Sequence, residues 1–194
     1  MNWIDKLDRQ FGRRSIPHLM YFITGIMLAV FAANLVLGGT VTPMLYFDRG
    51  LILQGQVWRL ITFIFLPPNS SPIWILFSLY FYCLIGNGLE QAWGSYRFNI
   101  FYLVGILGSI LSGFVTGYTM NSFLNMSLFL AFAAIYPDHQ ILLFFFLPIK
   151  IKWLALLDAA YFVWMFVIGS WSSRLAIVFA LLNILLFFAG DLLR

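Results

Sequence analysis

The sequence predicts an all-α membrane protein with six transmembrane helices. Hydrophobic residues make up 62% of the chain and charged residues 9%, where a soluble domain carries about 25% charged residues. Mean hydropathy is +0.93. The apolar residues also fall into runs of the ~20 residues that cross a bilayer, and six such runs with short connections use nearly all of the 194 residues. The single cysteine, Cys83, excludes an intrachain disulfide and sits in an apolar run, where it reads as packing.

Residues 1–15, "MNWIDKLDRQFGRRS", form the only highly charged stretch. Trp3, Ile4, Leu7 and Phe11 share one helical face, and Lys6, Arg9, Arg13 and Arg14 lie mostly on the other. That is the pattern of an interfacial amphipathic helix; a frayed basic tail is the alternative. Residues 16–194 read as one transmembrane domain. Span 1, residues 17–38, opens at Pro17, a good first-turn residue. It exceeds a signal-peptide core and no small-x-small cleavage pattern follows, so it reads as a retained span.

Next comes "GTVTPMLYFDRGLILQGQVWRLITFIFLPPNSS". It is too apolar for an aqueous loop and too broken by Gly, Pro and charge for a span, which predicts a loop half-sunk in the interface. Span 2 covers 72–89, after Pro72; span 3, 95–117; span 4, 121–136; span 5, 152–169; span 6, 173–192. Span 3 carries Gly105, Ser109, Gly113 and Gly117 at four-residue steps, a smooth face that predicts a close helix-packing seam. Lys and Arg bias sets orientation. Lys6, Arg9, Arg13, Arg14, Arg97, Lys150, Lys152 and Arg194 fall on the side of the N-terminus, against Arg49, Arg59 and Arg174. The expectation is N-in and C-in, in a bacterial cytoplasmic membrane, with Ser122 on the outer side.

Three stretches carry a resemblance. "GQVWRLITFIF", with Trp58 and Arg59, is similar to the Trp-Arg motif in the first loop of the rhomboid superfamily. "IGNGLEQAWGSYRFNIFYLVG", with Gly86, Glu90, Trp93, Gly94 and Arg97, resembles the rhomboid signature joining spans 2 and 3. "LPIKIKWLALL" resembles the entry to span 5. The resemblance covers nearly the whole chain and implies a rhomboid-like fold. Read as residues alone, Glu90 and Arg97 are opposite charges at a membrane-edge turn that an ion pair would tie together, and Arg59 should snorkel to phosphates or carbonyls.

Rhomboid proteases use a serine–histidine dyad, and a serine needs a base to become a nucleophile. The resemblance lays Met120-Asn121-Ser122-Phe123 over the family's Gly-x-Ser-Gly, so the serine stays and both glycines are gone. It lays Asn183 over the histidine, Leu186 and Gly190 over the glycines that follow it, and Trp74 and Ser78 over the His and Asn that stabilise the oxyanion. Asparagine cannot take a proton. The only histidines, His18 and His139, fall at span ends opposite Ser122, far beyond the ~3 Å of a proton transfer. The resemblance therefore implies a pseudoprotease, in the company of Derlins and inactive rhomboids.

Asp158 is the one carboxylate well inside an apolar span, a functional candidate by default, with a backbone-bonded structural role as the equal alternative. Asn34, Asn125 and Asn183 are candidates for hydrogen bonds across helices. Asn121, Ser122, Asn125 and Asn183 would form the polar remnant of a cavity. No metal cluster, cofactor motif or nucleic-acid signature is present in the sequence. The partners expected are the lipid bilayer and transmembrane segments of other proteins. These would be held at a gate on span 5 marked by Phe162 and Phe166 among Trp153, Tyr161 and Trp164. A working serine protease with Ser122 as nucleophile is the alternative, and a small transporter a third.

Overall fold

Prolines and glycines set where the helices begin and end. The computed structural model describes residues 3, 6, 9, 10, 15–67, 72–119, 121–143 and 147–192. Among the described residues, five helices are long and apolar enough to cross a membrane: α1 (Leu19–Val36), α4 (Pro72–Trp93), α5 (Ser95–Thr116), α7 (Ile151–Ile168) and α8 (Trp171–Leu192). The sixth expected span is α6, Ser122–Ile135. It is only about 20 Å long at 1.5 Å per residue, short of a ~30 Å hydrocarbon core. Span 2 was read to end at 89, but α4 continues to Trp93. The break falls at Gly94, whose φ of 87° only glycine adopts readily, and α5 begins one residue later.

α6 is central. Phe123, Leu124, Asn125, Ser127, Leu128, Phe129, Ala131, Phe132 and Ala133 are all buried, as expected of a helix that is apolar all round. It packs against α4, α7 and α8, while α5 packs most extensively on α8 and α1 on α4. α7 is the reverse case: only Ile151 and Phe162 are buried.

The loop after α1 is built of short ordered elements. It contains a 3-10 turn (Thr42–Met44), β1 (Phe47–Asp48), α2 (Arg49–Leu53), α3 (Arg59–Thr62) and a second 3-10 turn (Phe63–Phe65). β1 pairs antiparallel with β2 (Tyr118–Thr119), Phe47 opposite Thr119. The Asp48 carboxylate caps α2 by accepting the Leu51 N–H at 3.2 Å. Phe47 is fully buried, edge-on to Phe63 and Phe114. The loop thus wedges one ring against the far end of α5.

Between α6 and α7 lies a hairpin that the sequence did not announce, β3 (Gln140–Leu143) with β4 (Leu147–Lys150). The interfacial helix expected over residues 1–15 lies mostly outside the described residues. Trp3, Lys6, Arg9 and Gln10 have helical backbone, and Trp3 meets Phe187 edge-on at 6.4 Å.

Candidate functional site

The loop and the head of α6 form one hydrogen-bonded unit. Arg59 is 4% exposed. It donates to the Pro43 and Tyr46 carbonyls at 3.1 and 2.8 Å and to Gln56 Oε1 at 2.8 Å, and it lies over the Tyr46 ring. Its guanidinium gathers loop carbonyls that would otherwise be orphaned in an apolar setting. Trp58 is half-exposed and donates Nε1–H to the Met44 carbonyl at 3.0 Å. Asn121, just before α6, is buried and donates Nδ2–H to the Ile64 and Leu66 carbonyls, both at 3.1 Å.

Ser122 follows immediately. Its hydroxyl has no hydrogen bond among the described residues. Asn183 is buried within α8, and its Nδ2–H donates to the Phe101 carbonyl of α5 at 3.0 Å. Leu124 meets α5 at the same place: a Cβ on Gly105 would stand 2.3 Å from Leu124 Cδ1 and 3.2 Å from Asn183 Nδ2. Ser122 precedes Leu124 by two residues, about 200° around the helix, so it faces away from Asn183. The structure does not bring this pair together. Trp74 is half-exposed at the head of α4 with its ring on Phe77, and Ser78 lies one turn deeper, part-buried. His18 and His139 lie at the opposite end of the bundle from Ser122, beside Glu90 and Phe132 respectively.

The expected Glu90–Arg97 ion pair is absent. Glu90 accepts the His18 backbone N–H through both oxygens and the Ser95 hydroxyl at 2.6 Å. Arg97 lies over the Trp93 ring and donates to the Phe187 carbonyl at 3.2 Å. Each charge ties the turn to a different helix, Glu90 to α1 and Arg97 to α8.

The small-residue ladder also departs from a single seam. Gly105 receives Leu124 and Asn183, whereas Gly113 receives Phe47 of the loop, whose ring would stand 2.4 Å from an added Cβ. Gly117 ends α5 at φ 96°. Ser109 is buried, and the approach to α8 runs through Gly108, against Phe179. Four-residue spacing drifts around a 3.6-residue helix, so successive steps meet different neighbours.

On α7, Phe162 is 3% exposed and packs on Phe123. It is therefore not a gate-face residue, while Phe166 is exposed with Trp153, Tyr161 and Trp164. Asp158 lies on the packed side, and its Oδ2 is buried without a hydrogen-bond partner among the described residues. Asn34 bonds its own loop, at the Val41 and Thr42 N–H groups, rather than another helix. Two core-facing tyrosines, one buried and one part-buried, escaped sequence reading. Tyr82 lies beside Asn125, and Tyr102 is 1% exposed with a hydroxyl that has no partner among the described residues. Among 22 Phe, nine Tyr and seven Trp, nothing local separates a core tyrosine from a lipid-facing one. The cavities described are lined by other residues than Ser122, among them one of ≈320 Å³ lined by α1, the loop and α5.

Residues 17–186 match the family described as eukaryotic integral membrane protein (DUF1751). The chain belongs to that family. No curated protein matches it. The match runs from the turn before α1 into the last part of α8 and leaves out the basic N-terminal segment. It also corrects the assignment to a bacterial cytoplasmic membrane, because the family is eukaryotic. This eukaryotic integral membrane protein is a multi-pass membrane protein.

Proposed function

We propose that this eukaryotic integral membrane protein is a rhomboid-like pseudoprotease that holds transmembrane segments of other proteins without cutting them. The observation that carries the reading is the bonding of Asn183: the residue that the resemblance lays over the base cannot accept a proton and spends its amide on the Phe101 carbonyl. Ser122 has no base beside it, and a serine hydroxyl without one is inert.

In this reading α6 is the sixth crossing. It can be short because protein surrounds it, so its termini need not reach lipid headgroups. Trp3 against Phe187 sets the described start of the chain beside the end of α8, as an even number of crossings requires. α7 is the receiving surface. It is the least packed of the long helices and exposes Trp153, Leu157, Tyr161, Trp164, Phe166 and Val167.

Photocrosslinking amino acids at Trp164 and Phe166 test the proposal, with Leu111 of α5 as an equally exposed control. Membrane proteins should be trapped in cells from α7 and not from α5. Equal trapping from the two helices, or only lipid adducts at α7, would sink the client surface.

A further inference from the structure

Asp158 is the eighth residue of α7, about 10 Å along the axis from Ile151. At 100° per residue it shares a side with Ile151, Ala155, Phe162 and Met165, the side that packs on α6. Its Oδ2 is buried with no hydrogen-bond partner among the described residues, yet the residue keeps part of its surface. The basic residues that flank α7 in the sequence are engaged elsewhere. Lys150 and Lys152 lie 3.9 and 3.7 Å from Asp138, and Arg174 donates to the Phe166 and Val167 carbonyls. A lone carboxylate inside a membrane is expensive and calls for a partner of opposite charge or a strong donor. The next residue, Ala159, is small and exposed, which lets a helix laid along that side of α7 come close.

We infer that Asp158 is the recognition point of the α7 surface, and that the occupant it selects is a transmembrane helix with a lysine or arginine at matching depth. Charge complementarity commits the surface to that occupant. The long aliphatic stem of a basic side chain reaches the carboxylate while its own helix stays outside the bundle. The inference rests on the client-holding reading and adds what the client must carry.

The test uses the full-length protein in liposomes with synthetic 22-residue Leu/Ala helices, their association read by energy transfer. One peptide carries a lysine about 10 Å from one interface, one carries leucine there, and one carries the lysine two turns displaced. The matched-lysine peptide should associate about tenfold more tightly than the leucine peptide. That advantage should vanish in Asp158→Asn and for the displaced lysine. In Asp158→Lys it should pass to an aspartate-bearing peptide.

Equal binding of lysine and leucine peptides to the wild type would overturn the role of Asp158 while leaving the α7 surface standing. An advantage that survives in Asp158→Asn does the same. Binding of no peptide at all removes the client reading as well. Self-association of the protein that is lost in Asp158→Asn, with no lysine preference, would replace the client by a second copy and overturn the inference. Thermal unfolding of Asp158→Asn within a few degrees of wild type shows that any lost binding does not come from a lost fold.

Discussion

Glu90 holds the backbone N–H of His18 between its two carboxylate oxygens, at 3.0 and 3.1 Å. One turn back on the same face of α4, Gly86 lets α1 come so near that an added Cβ would stand 2.4 Å from Met20 Cβ. Glycine and glutamate at i and i+4 thus act on one neighbour: the first admits the helix, the second caps the segment that starts it. The cap also holds His18 at φ 55°, a left-handed conformation that costs a side-chain-bearing residue roughly 1–2 kcal/mol.

Glu90→Ala should lower stability by roughly 0.5–1.5 kcal/mol, the net worth of a hydrogen bond at an exposed helix start, and Glu90→Gln by less, because its amide oxygen still accepts. His18→Gly should be neutral or stabilising, since it relieves the φ strain and keeps the N–H. Thermal unfolding in detergent ranks the three. A His18→Gly protein that melts below Glu90→Ala would show that the imidazole, and not the backbone, matters here.

Arg59→Lys should loosen the loop although charge is kept. A lysine cannot reach Pro43 O, Tyr46 O and Gln56 Oε1 with the fork geometry of a guanidinium. The expected loss is roughly 1–3 kcal/mol, appearing first as faster hydrogen exchange over residues 42–66 while α5 and α8 stay protected. Uniform exchange across loop and helices would argue against a local role.

The long helices were legible because apolar runs of membrane length bounded by Pro and Gly leave few alternatives. Pro72 and Gly94 mark α4 as plainly in the sequence as in space. The loop between α1 and α4 was legible only as a departure from pattern. Its folding depends on Arg59, Asp48 and Asn121 finding backbone groups far along the chain, and such long-range pairs leave no periodicity. The β3–β4 hairpin was hidden for another reason: "QILLFFFLPIK" alternates in neither helix nor strand period. At the candidate site, the sequence marked Asn183 as a polar residue inside a span but not the Phe101 carbonyl that it bonds. It put Phe162 on the lipid side because aromatics cluster on α7, whereas the 3.6-residue turn carries that one ring under Phe123.

Gly113→Leu should be far more damaging than Ser122→Ala. An added Cβ at 113 would already lie 2.4 Å from Phe47, a fully buried ring. Leucine there must expel the loop or part α5 from it, costing roughly 1–3 kcal/mol or more. Removing a hydroxyl that bonds nothing described should stay within about 0.5 kcal/mol. Similar melting temperatures for the two would refute the wedge described for Phe47.

Serine-directed fluorophosphonates should leave the protein unlabelled at Ser122. The reaction needs a deprotonated hydroxyl, and His18 and His139 lie at the other end of a helix about 20 Å long. Mass spectrometry after treatment decides it: an adduct mapped to Ser122 would reinstate a protease.

Phe162 and Phe166 separate packing from capture. Both are phenylalanines on α7, one turn apart, but Phe162 is 3% exposed against Phe123 and Phe166 is 45% exposed. Phe162→Ala opens a gap between α6 and α7. Lipid is as apolar as the ring it would replace, so the cost is lost contact rather than lost burial from water. It should be roughly 1–3 kcal/mol, below the 3–5 of a water-soluble core. Phe166→Ala should melt with the wild type and yet weaken association of a transmembrane peptide, because the ring it removes touches only what lies outside the bundle. Unfolding and peptide association measured on both variants give four numbers. If Phe166→Ala binds like the wild type while Phe162→Ala both melts early and binds poorly, then capture follows the packing of α7 on α6 and not its outer face, and the client surface would have to be moved to that seam.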